Sequence, residues 1–205
     1  MIIWFLTYFG YSMPTSLEDN IALQDNVAYT IYMWAILAAL FFGLVVMLAV
    51  AGVKKGATPG LATTGFFFVF IAGLVNMILR VIEIFAVNYG WAAAYAAEET
   101  EEAVRTAAWT NICGFFGMRY ALFFLVFLAF VIGLFLYFLA TWRGTGNEKG
   151  ASIFFLLTSI GMLLFLIGIY GMQAWLLAIM IWIVPILWAI LYFIVGVWLW
   201  QEEAP

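Results

Sequence analysis

The chain has 205 residues, 68% of them hydrophobic and 20% aromatic, with only 9% charged and a formal net charge of −4. An ordinary soluble domain carries about a quarter charged residues, so this composition cannot present a water-facing surface and its main solvent is lipid. Seven basic residues without a basic run give nucleic acid no footprint, and the absence of histidine removes the commonest imidazole ligand for haem, iron, copper and zinc.

Residues 1–27 read as a segment at the outer membrane interface. Met1 to Met13 are apolar and aromatic but too short to cross a bilayer. They lack the basic start and small-residue cleavage site of a secretory signal. Thr15 and Glu18 then have the spacing of a capping box ahead of Ile21 and Leu23, which predicts a short helix leading into the first span.

Five stretches are apolar for the roughly 20 residues that a helix needs to cross about 30 Å of hydrocarbon. They cover about 28–53, 61–88, 108–142, 151–171 and 175–200. Lipid cannot satisfy open backbone groups, so these are helices, and their near-continuous apolarity lacks the alternation of a membrane β-barrel. The expected fold is an all-α integral membrane protein, with residues 1–205 forming a single membrane domain of about five transmembrane helices.

Lysine and arginine in the short loops set the orientation. Lys54 and Lys55 follow the first span, and Arg143 and Lys149 separate the third from the fourth. Five spans put all four on one side, which is then cytoplasmic. Glu18, Asp19, Asp25, Glu98, Glu99, Glu101 and Glu102 fall on the other. The expectation is a multi-pass protein of the cell membrane with its N-terminus outside and its C-terminus cytoplasmic. Trp142, Trp198 and Trp200 mark the inner boundary and Trp175 the outer, the depths that amphipathic rings favour.

The second and third spans overrun the bilayer. Val81 to Trp91 keeps a helical pattern, and Ala92 to Ala108 is rich in the helix formers alanine and glutamate. This predicts an outer helical hairpin over about 80–119, its tip near Glu98 to Glu102. Four glutamates at the tip read as a solvated face, since calcium requires oxygens converging on a tight loop.

Arg80, Glu83 and Arg119 carry the most information. Arg80 and Glu83 are three residues apart on one helical face. Counting back along the antiparallel third span brings Arg119 to the same depth, with Asn76 and Asn111 as neighbouring polar groups. Charges at membrane depth are costly and mark functional positions by default. Two arginines and one glutamate leave a net positive cluster suited to a lipid headgroup, a partner's acidic residue or another anion.

The other span residues carry little chemistry. Cys113 is a lone small apolar residue. Thr158 and Ser159 are expected to bond to backbone carbonyls. Gly161, Gly168 and Gly171 lie along one face of the fourth span, and Gly114 and Gly117 open the third, where small residues let helices approach closely. Pro185 removes a backbone hydrogen bond inside the fifth span and is the expected site of a helix kink. No nucleophile with a base, phosphate loop or metal-ligand spacing occurs.

These features lead to a non-catalytic accessory or scaffold subunit of a larger membrane assembly. Its partners are membrane lipid and other membrane subunits or further copies of itself, and nucleic acid is not among them. With 21 Phe, 10 Tyr and 10 Trp, its faces suit contact with lipid, a quinone or a carotenoid held by partner chains, while its own side chains supply no cofactor ligand and no metal site. The alternative is a small transporter or channel with its Arg/Glu site in the outer leaflet. An enzymatic role has no candidate catalytic residue.

Overall fold

The computed structural model describes residues 21–22, 26–54, 57–97 and 100–203. The segment Met1 to Met13, the capping pair Thr15 and Glu18, and the acidic residues Asp25, Glu98 and Glu99 lie outside them. The described residues are helical, without strands, and five of the helices are long and apolar enough to cross a membrane.

Helix α1 covers Val27–Lys54, and Asn26 opens it by accepting the backbone N–H of Tyr29 on its side-chain Oδ1 at 3.1 Å. Helix α2 covers Pro59–Ile82. It begins on a proline, whose fixed φ and missing N–H suit the first helical position. The chain then passes without a break into a π-helical stretch, Glu83–Ala92, and a last α turn, α3, over Ala93–Ala96. Helix α4 is the longest, Glu102–Thr141, and its 40 residues rise roughly 60 Å, about twice the hydrocarbon thickness. Helices α5 and α6 cover Gly146–Tyr170 and Ala174–Glu203. Gly146 opens α5 at φ +53°, a left-handed conformation that glycine adopts without penalty. Pro185 lies inside α6, and the helix continues on both sides of it.

Contacts divide the chain into two compact units, residues 1–40 with 76–123 and residues 41–75 with 124–205. The second has the larger core, containing Met47, Val69, Phe130, Leu134, Phe155, Leu191 and Trp198. Tyr137 is fully buried there, stacked on Phe155 at 5.2 Å, and donates its hydroxyl to the Met47 carbonyl at 2.7 Å. A tyrosine so deep in apolar surroundings needs that acceptor. Ser159 donates to the Val131 carbonyl at 2.9 Å and Thr58 to the Ala140 carbonyl at 3.2 Å, so hydroxyls join neighbouring helices through backbone oxygens.

Close backbone approach in this unit depends on particular glycines. A Cβ on Gly133 would stand 2.6 Å from Val69 Cγ2 and 2.9 Å from the Gly65 carbonyl, and one on Gly65 would stand 3.1 Å from the Gly133 carbonyl. Helices α2 and α4 therefore cross almost backbone to backbone. Gly168 meets the Leu177 backbone nitrogen in the same way at 3.0 Å, and Gly161 meets the Leu187 side chain at 2.9 Å. Gly171 does not serve helix contact, because a Cβ there would strike the Ile167 carbonyl one turn back. Gly114 and Gly117 have nothing within reach of an added Cβ among the described residues.

The ends of α1, α4, α5 and α6 in the second unit are tied by polar contacts. Lys54 pairs with Glu148 and stands 5.5 Å over the Trp198 ring, whose indole N–H donates to Glu202 at 3.1 Å. Lys149 lies 3.3 Å over the Trp142 ring and donates to its carbonyl at 2.7 Å.

In the first unit Tyr29, Met33 and Ile84 form a small core with Tyr32 packed against it. Trp34 meets Phe85 edge-on at 5.9 Å, and Tyr95 lies against Trp109 at 5.3 Å. Arg105 donates to the Ala97 carbonyl at 3.2 Å.

Candidate functional site, an arginine–glutamate–arginine cluster

The first unit brings Arg80, Glu83 and Arg119 together. Arg80 is in the last turn of α2, Glu83 is the first residue of the π-helical stretch, and Arg119 comes from α4. Glu83 Oε2 accepts from Arg80 Nη1 at 2.7 Å, and Oε1 accepts from Arg119 Nη1. The carboxylate is 2% exposed, while the Arg80 and Arg119 side chains are 17% and 21% exposed. A lone ionised carboxylate so deeply buried would be strongly unfavourable. Two charge-assisted hydrogen bonds offset that cost.

The guanidinium groups are braced from other directions. Arg119 stands 4.6 Å over the Phe116 ring and 5.4 Å over Phe123, with Arg80 5.9 Å from the same Phe123 ring. Aromatic faces attract cations through the ring quadrupole. Arg80 Nη1 also lies 3.7 Å from the Met33 sulfur. Beneath the cluster Tyr29 is buried, hydrogen-bonded to the Asn88 side chain and within electrostatic reach of all three charges. Arg80 Nε and Asn76 Oδ1 are buried with no hydrogen-bond partner among the described residues.

Asn88 joins the site because the helix changes its winding. An α-helix turns about 100° per residue, so five residues on from Glu83 it would face roughly 140° away. Hydrogen bonding from i to i+5 winds the stretch more slowly and turns Asn88 back toward the face of Glu83, and both are buried, as are Ile84 and Val87. Nothing in the apolar pattern of the sequence signals that change. Asn111, placed beside the cluster with Asn76 by counting along the chain, is exposed, and the polar side chain that reaches Tyr29 is Asn88.

Chemically the cluster is a closed ion pair with one positive charge in excess. Both carboxylate oxygens are taken, and the surplus sits on the two partly exposed arginines. Among the described residues no three His, Cys, Asp or Glu side chains gather as metal ligands, and Cys113 is exposed. The chain matches no protein-family model, no curated protein and no solved structure.

Proposed function

We propose that the chain is a non-catalytic accessory or scaffold subunit of a larger membrane protein assembly, contacting lipid and hydrophobic groups held by partner chains. One observation carries this reading: the most deeply buried charge among the described residues, Glu83, is occupied on both oxygens by arginines of its own chain. A proton or ion relay needs a titratable group free to exchange partners at membrane depth, whereas Glu83 serves as an internal strut. Large apolar side chains such as Phe41, Phe42, Phe67 and Phe193 are exposed and provide faces for lipid, a quinone, a carotenoid or a neighbouring helix.

In the same reading the parts of α2, the π stretch, α3 and α4 beyond the hydrocarbon form an outer hairpin whose tip is near Glu101. The helix lengths support this, because 38 residues over Pro59–Ala96 and 40 over Glu102–Thr141 exceed what a bilayer requires. Lys54, Arg143 and Lys149 then face the cytoplasm of a cell membrane with the N-terminus outside. Extraction in mild detergent followed by sizing is expected to give a complex larger than the single chain. A homogeneous monomer without companion chains would remove the reading.

The π-helical stretch beginning at Glu83 favours a second reading, a small transporter or channel, since such windings recur at functional sites. Under it, Arg119→Gln would change anion uptake into liposomes bearing the purified chain. Under the accessory reading neither parent nor variant carries flux above empty liposomes.

A further inference from the structure

We infer that the outward face of Arg80 and Arg119 binds a phosphodiester monoanion, supplied by the headgroup of an anionic phospholipid. The inference goes beyond the accessory-subunit reading and does not depend on it, since a monomer could bind such a lipid equally well.

Three features of the cluster lead there. The first is the placement of charge. The single negative group is 2% exposed and the two positive groups 17% and 21%, so an approaching ligand meets the guanidiniums while the carboxylate stays beneath them. The second is donor supply. Arg119 has Glu83 as its hydrogen-bond partner among the described residues, and the Arg80 contacts to Glu83 and Met33 both use Nη1. Each guanidinium is a planar fork of N–H donors, so several donors remain for tetrahedral phosphate oxygens. The third is depth. Arg80 stands roughly 32 Å along its helix from Pro59, and Arg119 roughly 33 Å along α4 from Thr141. Those lengths match one hydrocarbon thickness of about 30 Å, which puts both arginines level with the phosphates of one leaflet. Exposed Tyr89 and Tyr120 sit close in sequence to the cluster, as suits rings that favour the headgroup layer.

The surplus of one positive charge also selects among headgroups. A phosphatidylglycerol phosphate brings one uncompensated negative charge. In phosphatidylcholine the same phosphate carries a quaternary ammonium that two arginines repel. A carboxylate from a partner helix would satisfy the charge, but the match of both arginines to phosphate depth favours the lipid.

The test uses the full chain in mild detergent, titrated with phosphatidylglycerol or phosphatidylcholine and read by native mass spectrometry, with inorganic phosphate as a separate titrant. The parent is expected to retain phosphatidylglycerol in preference to phosphatidylcholine, and Arg119→Gln to weaken that retention by roughly tenfold or more, as loss of a charge-assisted hydrogen bond implies. Arg119→Lys keeps the charge without the fork and should fall between them. Lys149→Gln, remote in sequence and in the other unit, should bind like the parent. Equal retention of both lipids by the parent overturns the inference, and this arm requires no variant to fold. Displacement of bound lipid by inorganic phosphate at comparable concentration overturns the headgroup as the source. Arg119→Gln releasing a co-purified chain while its lipid count stays unchanged identifies a partner's acidic residue as the occupant, and equally overturns it.

Discussion

Glu83→Ala is expected to lower the stability of the chain by about 3–5 kcal/mol, the usual cost of removing one member of a buried ion pair. Both arginines would then face each other without a counter-ion, braced on Phe116 and Phe123 and unable to reach water fully. Arg119→Gln should cost less, because Arg80 and Glu83 remain as a neutral pair at 2.7 Å. The double variant Glu83→Ala with Arg119→Gln should lose less than the two single changes added together, since groups sharing one network are not independent. Unfolding in mixed micelles with increasing denaturing detergent, followed by tryptophan fluorescence, measures all four proteins. A loss within about 0.5 kcal/mol for Glu83→Ala, the range of an ordinary surface change, would show that the carboxylate is not the keystone of the first unit.

Gly133→Ala should cost about 1–3 kcal/mol, the typical penalty for overpacking a filled site, and Gly133→Leu more. The added Cβ would lie 2.6 Å from Val69 Cγ2, 2.9 Å from the Gly65 carbonyl and 3.1 Å from the Val69 nitrogen. Two of those atoms are backbone, so relief requires the helices to separate, which also strains the nearby core around Val69 and Leu134. Gly114→Ala and Gly117→Ala are the matched controls on the same helix. With no atom of the described residues near the new methyl group, they should be neutral or gain up to about 1 kcal/mol from helix propensity. The same unfolding titration distinguishes the two classes. Equal behaviour of Gly133→Ala and Gly114→Ala would mean that no tight crossing exists at Gly65.

The two results concern different parts of the structure and differ in how far the sequence foretells them. Arg80 and Glu83 are a visible pair at helical spacing, and Arg119 reaches them by counting residues across an antiparallel connection. Charges are so rare in these spans that each stands out. The Gly65–Gly133 crossing has no comparable signal, because glycine is common in membrane helices and occurs at many other positions in this chain. Gly114 and Gly117 lie on the same helix as Gly133, yet no described residue meets them.

By itself the sequence determined the solvent and the unit of construction. With 68% hydrophobic and 9% charged residues the chain belongs in hydrocarbon, where backbone polar groups must be satisfied within each segment. Helices long enough to span follow directly. Only the tertiary structure decided which faces of those helices touch. In water a helix declares its buried face through an apolar stripe. Here Tyr137 on Phe155, Gly133 on Gly65 and Asn88 on Tyr29 arise on helices that are apolar all round, so packed and lipid-facing positions draw on the same residues. Those contacts were settled by shape, backbone oxygens and one change of helical winding, none of which leaves a periodic trace in the chain.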